Sequence, residues 1–301
     1  LMVAPIAIET AKKLKSKIFP YMVAIAISSN AVTTITMVAD PPSIILAMEM
    51  GMKFIEFYWF QNRISLGIIS ILAVAFALFS LLVIFRNLNK KTQIEKVTFK
   101  VNYIPLFIFI GGVIALAIGP YFGVPPGLVG LATGLIALLY SKKEWKNMMK
   151  DFDWNSFFFI IGIFVVISSL QVSGLLSDFV RLIDNLGVNN PIISLAFIIW
   201  VSVAASSFMD NVPYTVLMIP VCNELASLLG INPFVLLFGM LIGTGIGGNI
   251  TPVGATANVF ACGIIEKHGE KVRLKDYLKI SLPFTVTAVL VAHILLQIIW
   301  L

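Results

Sequence analysis

Asp210 carries the chemistry that most needs an explanation. It stands in Ser206-Ser207-Phe208-Met209-Asp210-Asn211-Val212-Pro213, between two long apolar arms. A carboxylate at membrane depth costs on the order of 2.5–3.5 kcal/mol on insertion scales, so such a group binds a cation, takes a proton or pairs with a base. No Lys or Arg lies in any apolar segment, which removes the third choice within this chain. Capping the second arm is the structural alternative. Asp40 is the other carboxylate of interest. It precedes Pro41 and Pro42, the pattern of an N-cap before a helix that starts on proline. A cap and a functional carboxylate are compatible at that position.

A second constellation is neutral. Gly243-Thr244-Gly245-Ile246-Gly247-Gly248-Asn249-Ile250-Thr251-Pro252-Val253-Gly254 holds five glycines and a proline within twelve residues, which no regular helix carries. Broken backbone at membrane depth is tolerated only where it is buried in protein or lines a cavity. The break frees amide donors for an anion at one half-helix end and carbonyls for a cation at the other. Asn249, Thr251 and Asn258 add polar groups that are cheaper to bury than charges. The competing reading is a small-residue face that lets helices touch. A nucleotide-binding glycine loop does not fit, because no strand precedes it and the spacing is wrong.

The elements that position these residues follow from composition. Of the 301 residues, 59% are hydrophobic and 12% charged, against roughly 45–50% and 25% in a soluble domain. Lipid is the solvent that composition demands. A net charge of +6 raises a nucleic-acid question, but the basic residues form short clusters between apolar runs rather than an aromatic-interleaved stripe, so nucleic acid is excluded as a partner. Cys222 and Cys262 lie in apolar runs without metal-ligand spacing, and His268 and His293 form no cluster.

A bilayer core of about 30 Å takes about 20 apolar residues to cross. Crossings are expected near 64–85, 103–120, 126–141, 154–173 and 281–301. Residues 20–51 and 233–265 are long apolar stretches interrupted by Gly, Pro, Asn and Asp, each expected to cross once as a broken helix. Residues 191–227 are expected as a re-entrant hairpin, and 1–11 as one arm of another. This arrangement makes loops 12–17, 86–100, 142–151 and 266–279 cytoplasmic in a multi-pass plasma-membrane protein. Of the 21 Lys and Arg, only Lys53, Arg63 and Arg181 then fall outside, as the positive-inside rule requires.

Shifting the chain by about 215 residues aligns Pro5 with Pro220, Glu9 with Glu224, Phe19 with Phe234 and Thr36 with Thr251. The two interrupted segments coincide under this shift and run in opposite directions. Inverted repeats are the signature of secondary transporters. By the same shift, the partner of the second unit is expected to begin about 115 residues before Leu1. The fold class expected is therefore an all-α membrane protein with inverted repeats, re-entrant hairpins and broken transmembrane helices. Residues 1–86 form one transport-domain half, 87–190 the scaffold helices and 191–301 the second transport-domain half.

Together with Asp40-Pro41-Pro42, the stretches Ser206–Pro213 and Gly247–Asn258 resemble the ion transporter superfamily. Within it they are most similar to the permeases that include arsenite efflux pumps, a class of sodium/proton antiporters, citrate–metal transporters and the melanosomal P protein. The resemblance implies a central site fed by both repeats. Ser207, Asp210 and Asn211 would sit at a hairpin tip, and Gly247, Gly248, Asn249, Thr251, Gly254 and Asn258 in the facing break. Asn30, Thr36 and Asp40 would sit in the first-repeat break, with Na⁺ near Asp210, Asn211 and Asn249. It also implies elevator-like movement, a homodimer and, for an arsenite type, a separate ATPase subunit. The sequence departs from the family pattern at Val32 and Thr33, where a Gly-Gly pair is usual, at Ala39 for Gly, and at Ser43 for Asn.

The function expected is secondary transport of a small anion, an arsenite-like oxyanion or a di- or tricarboxylate, coupled to H⁺ or Na⁺ and without any other cofactor. A sodium/proton antiporter is the alternative, and a channel a third. An intramembrane aspartyl protease built on Asp40 and Asp210 is remote, because Met37-Val38-Ala39 stands where a Gly-x-Gly setting belongs. No enzyme activity is expected.

Overall fold

The computed structural model describes residues 3–86, 102–141 and 190–301, with single positions between 154 and 174. The chain is helical almost throughout. In order it forms α1 (Ala4–Lys13), α2 (Phe19–Ala31), α3 (Pro41–Glu49), α4 (Leu66–Ile84), α5 (Ile104–Ile118) and α6 (Pro126–Tyr140). Then come α7 (Pro191–Ser206), α8 (Asn211–Leu229), α9 (Pro233–Gly247), α10 (Thr256–Lys267) and α11 (Leu274–Trp300). Among the described residues, four stretches are long and apolar enough to cross a membrane: α4, α5 with its extension to Phe122, α8 and α11. The chain is an all-α membrane protein, as its composition requires.

Local chemistry starts and stops these helices. Asn190 and Asn232 each precede a proline at the first helical position, and their side chains accept from Ile192 N at 2.9 Å and Phe234 N at 3.1 Å. This pairs an N-cap acceptor with a residue whose missing N–H would have been an orphan. Gly230 closes α8 in the left-handed region at φ 64°, where a side chain would be strained.

Both interrupted stretches are broken helices. The first runs α2, a 3₁₀ turn over Val32–Thr34, an irregular stretch to Asp40, then α3. The second runs α9, an irregular stretch from Gly248 to Ala255, then α10. They cross in opposite directions. The start of α2 meets the turn after α10, where the Glu270 carboxylate accepts from Ile18 N at 2.7 Å and Phe19 N at 3.2 Å. The start of α9 lies at the other end, where Asn232 Nδ2 donates to Gln61 Oε1 at 2.5 Å. The repeat-equivalent helices α4 and α11 pack antiparallel, since Trp300 Nε1 at the end of α11 donates to Ile64 O before α4 at 2.9 Å.

α7 and α8 form a hairpin whose arms lie on one side of the breaks. α7 runs parallel to α9, with Leu195 against Gly239, Ile199 against Gly243 and Val203 against Gly247. α9 packs more extensively against each arm than the arms pack against each other. Length alone would let α8 cross the membrane; its placement makes it a returning arm.

Three expectations are adjusted. The crossing expected at 281–301 begins earlier, at Leu274, so half of the basic loop 266–279 is helix. Asp276 in its first turn pairs with Lys279 at 2.9 Å, which favours helix there through the dipole and an i,i+3 contact. A small hairpin, Trp59–Phe60 against Arg63–Ile64, was not expected from sequence. Its turn places Gln61 and Asn62 at φ 49° and 62°. Finally, the stretches 87–101 and 142–153 and most of the crossing expected at 154–173 lie outside the described residues. α5 and α6 pair with each other, with Gly112 giving way to the Thr133 side chain, and touch the rest sparsely.

Candidate functional site

The two broken helices are clamped where they cross. Asn30 Nδ2 donates to Gly245 O at 3.0 Å and to Asn249 Oδ1 at 3.1 Å. Asn249 Nδ2 donates back to Ile27 O at 3.0 Å. Asn30 and Gly245 are equivalent under the repeat shift, so the local two-fold relation passes between them. Buried amides satisfied in this way hold a unique geometry, and truncating either one strands its partner.

The glycines of α9 divide between the readings raised by the sequence. A Cβ at Gly243 would lie 2.5 Å from Ile199 O, and one at Gly247 would lie 2.6 Å from Val203 Cα. These serve the packing face against α7, the small-xxx-small role. Gly248 and Gly254 serve the break. A Cβ on Gly248 would lie 2.7 Å from Gly254 O, and one on Gly254 would lie 2.9 Å from both Ser206 O and Ser207 O. The break is thus wedged under the hairpin tip.

The tip is fastened to it. Ser206 Oγ lies 2.6 Å from Thr244 O and 2.6 Å from Asn211 Oδ1. Ser207 Oγ lies 2.8 Å from Val203 O, and Thr251 Oγ1 donates to Ser207 O. Within the break, Asn258 Nδ2 donates to Gly248 O at 2.9 Å and to Thr251 O at 3.1 Å, while its buried Oδ1 has no partner among the described residues.

The equivalent staple exists in the first repeat. Ser43 Oγ donates to Thr33 O at 2.9 Å, and Ser43 and Thr33 align with Asn258 and Gly248. The Asn-to-Ser departure therefore keeps one of two bonds. The Val32-Thr33 pair is accommodated because Val32 points outward, 42% exposed.

Between the breaks and the tip lies a cavity of about 630 Å³, within the range of small-ligand sites. It brings together Asn30 and Asp40 from the first break, Asp210 and Asn211 from the tip, and Gly254 from the second break. Ser29, Thr33 and Thr256 also line it and were not singled out from the sequence. The repeat shift could have found Thr33 and Thr256, since each aligns with a residue of the opposite break. Ser207, Gly247, Gly248, Asn249, Thr251 and Asn258 stand behind the wall and shape it. Thr36 does not line the cavity; its carbonyl accepts from Ala39 N at 3.1 Å in the turn that leads to Asp40.

Electrostatically the cavity is lopsided. Asp40 occupies the N-cap position of α3 in extended backbone, but its side chain makes no capping bond. Asp210 caps α8 through Val212 N at 2.8 Å and remains exposed. Among the described residues, neither Lys nor Arg lines the cavity. The half-helix ends differ too. α3 opens on Pro41 and Pro42, which have no N–H, whereas α10 opens on Thr256 and Ala257, whose amides precede the first intrahelical bond.

The sequence profile of the citrate transporter family matches residues 1–243, and the chain belongs to that family. It is 26% identical to a 46 kDa membrane protein of Mycobacterium leprae, over 98% of this chain and 71% of that one. It is 25% identical to an uncharacterized transporter of Mycobacterium tuberculosis, over 89% of this chain and 65% of that one. The human P protein is 26% identical over 53% of this chain and 21% of its own length. The chain spans about two-thirds of the length of these bacterial relatives, 71% and 65%.

Proposed function

We propose that this chain forms the ion-binding core of a secondary transporter that moves a small carboxylate or oxyanion together with a cation, Na⁺ or H⁺. One observation carries the reading: two carboxylates, Asp40 and Asp210, and the open amide end of α10 share one cavity in which, among the described residues, no basic side chain forms part of the lining. Two carboxylates around one space repel unless a cation or proton sits between them. The α10 end, with the Thr256 hydroxyl, offers donors to the anion. Asn211 stands beside Asp210 in the cavity lining, and its Oδ1, 2.6 Å from Ser206 Oγ, keeps a second lone pair for Na⁺; Asn249 lies outside the lining with both ends of its amide bonded.

Elevator-like movement fits the division of contacts. The broken helices and the hairpin are bonded into one body through Asn30, Asn249, Ser206 and Thr251. The α5–α6 pair touches it lightly, chiefly near Phe54–Phe57 and through Lys53 over the Tyr121 ring at 4.6 Å. A sodium/proton antiporter is the second reading, favoured by Pro41 and Pro42, which strip amide donors from the α3 end. The transporter family gives no support to a protease.

The test is transport by the full-length protein in liposomes. Collapse of a pH gradient is followed on adding Na⁺ alone, then citrate or arsenite, for wild type and Asp210→Asn. Saturable flux that needs an anion and is lost in the variant supports the proposal. Sodium-driven proton movement without any anion retires it in favour of the antiporter.

A further inference from the structure

A second cavity, of about 830 Å³, opens at the basic end of the molecule, between the α1–α2 turn and the α10–α11 turn. Lys17 comes from the first repeat and Lys271 and Arg273 from the second. Its two carboxylates are occupied elsewhere. Glu270 accepts from the amides of Ile18 and Phe19, which holds the two turns together and keeps the cavity formed. Asp276 pairs with Lys279 at 2.9 Å. Among the described residues, Lys17, Lys271 and Arg273 have no carboxylate within ion-pair distance, although the charge of Asp276 also reaches Arg273 and Lys17. α11 starts at the cavity wall, with its N-cap residue Arg273 and its first-turn Asp276 both in the lining, so the positive end of its dipole lies on that side and is set against the Asp276 carboxylate.

We propose that this cavity binds a phosphate group, through Lys17, Lys271 and Arg273. The positive-inside rule accounts for basic residues at this end in general. It does not account for three of them converging on one concave space in which the cations outnumber the carboxylates, Glu270 and Asp276, three to two. Lys12, Lys15 and Lys275 lie at the same end and do not line it. Phosphate is the matching anion, because guanidinium and ammonium donors with a helix N-terminus are the groups that hold it. The cavity sits at the start of a membrane-spanning helix, α11, the depth of lipid headgroups. A headgroup phosphate and a soluble phosphate present the same chemistry there. Either one would bridge the two repeats at the point where Glu270 joins them. The site is separate from the transport cavity and does not depend on the transport reading.

The experiment uses delipidated full-length protein and compares retention of phosphatidylglycerol with phosphatidylcholine by native mass spectrometry. In parallel, the thermal midpoint in phosphatidylcholine nanodiscs is followed as inorganic phosphate is added. The triple variant Lys17→Gln, Lys271→Gln, Arg273→Gln is set against Lys12→Gln, Lys15→Gln, Lys275→Gln, which removes equal charge from the same end. The expected result is preferential retention of phosphatidylglycerol that falls on the order of tenfold in the site triple and holds in the control triple. A phosphate-dependent rise in midpoint that only the site triple loses assigns the site to soluble phosphate instead, and supports the same chemistry. Equal losses in the two triples overturn the proposal in favour of diffuse surface charge. So does wild-type protein that prefers neither lipid and ignores phosphate. If the site triple does not fold, Arg273→Gln against Lys275→Gln carries the same comparison.

Discussion

The two breaks occupy equivalent places in an inverted repeat, yet they solve the same backbone problem with different residues. The second uses glycine: Gly248 and Gly254 lie against each other under the hairpin tip, stapled by both bonds of Asn258. The first has no glycine between Ser28 and Ser43. It turns through a 3₁₀ segment, is stapled at its ends by the Ser43–Thr33 bond where the second break has two, and ends on Asp40 and two prolines. One break therefore faces the cavity with amide donors and the other with a carboxylate. A repeat that begins as two similar halves can divide an ion pair between them, with the anion on one side and the cation on the other.

The largest expected effect tests that division directly. Asp40→Asn should abolish dependence of flux on the coupling ion while leaving the fold intact, because the native side chain makes no capping bond to lose. Thr256→Val should instead raise the KM for the anion, about tenfold for a lost hydrogen bond to a charged ligand. Initial rates measured against each ion separately decide the matter; if both variants move the same parameter, the division is wrong.

The next effect is on stability. Gly248→Ala should cost about 1–3 kcal/mol, the usual range for overpacking, since the new Cβ would lie 2.7 Å from a carbonyl oxygen. Thr33→Ala, at the equivalent place, should cost only about 0.5–1.5 kcal/mol, for the one bond that the Thr33 hydroxyl donates to Asn30 O at 2.7 Å. Thermal unfolding of the purified variants reads both. A smaller contrast is expected between the staples. Asn258→Ala strands two carbonyls and Ser43→Ala one, so the former should lower the thermal midpoint roughly twice as far. The smallest effect is Val32→Gly, which gives the first break the residue that stands at the equivalent Gly247 of the second repeat. It should change stability by no more than about 1 kcal/mol, and a gain in transport rate would mean that the first break is held open less well than the second.

Much of this was legible in the residues. Asp40-Pro41-Pro42 marked the start of α3, and the glycine run marked the second break, because proline and glycine act on their own backbone. The hairpin followed from charge counting along the loops. The family resemblance implied Thr36 and Thr251 as site residues, and neither is in the cavity lining, although Thr33 and Asp40 on either side of Thr36 are. Asn249 and Asn258, expected at the site, stand outside the cavity lining and bond backbone carbonyls of the broken helices. A buried amide in a broken helix meets stranded carbonyls first, and no sequence pattern separates that duty from holding an ion.

The sequence by itself determined that this chain lives in lipid, crosses it with helices, and breaks two of them in opposite senses. Those properties rest on apolar content, local dihedral preference and the distribution of Lys and Arg, all of which act over a few residues or add along the chain. Tertiary structure alone decided which glycines touch α7 and which form the break, and that Asp40 and Asp210 face one cavity across 170 positions of sequence. It also decided that Lys17 joins Lys271 and Arg273 around another. These depend on the crossing of two broken helices, where a few buried amides fix the register, and packing of that kind is set by the whole body rather than by any one stretch of chain.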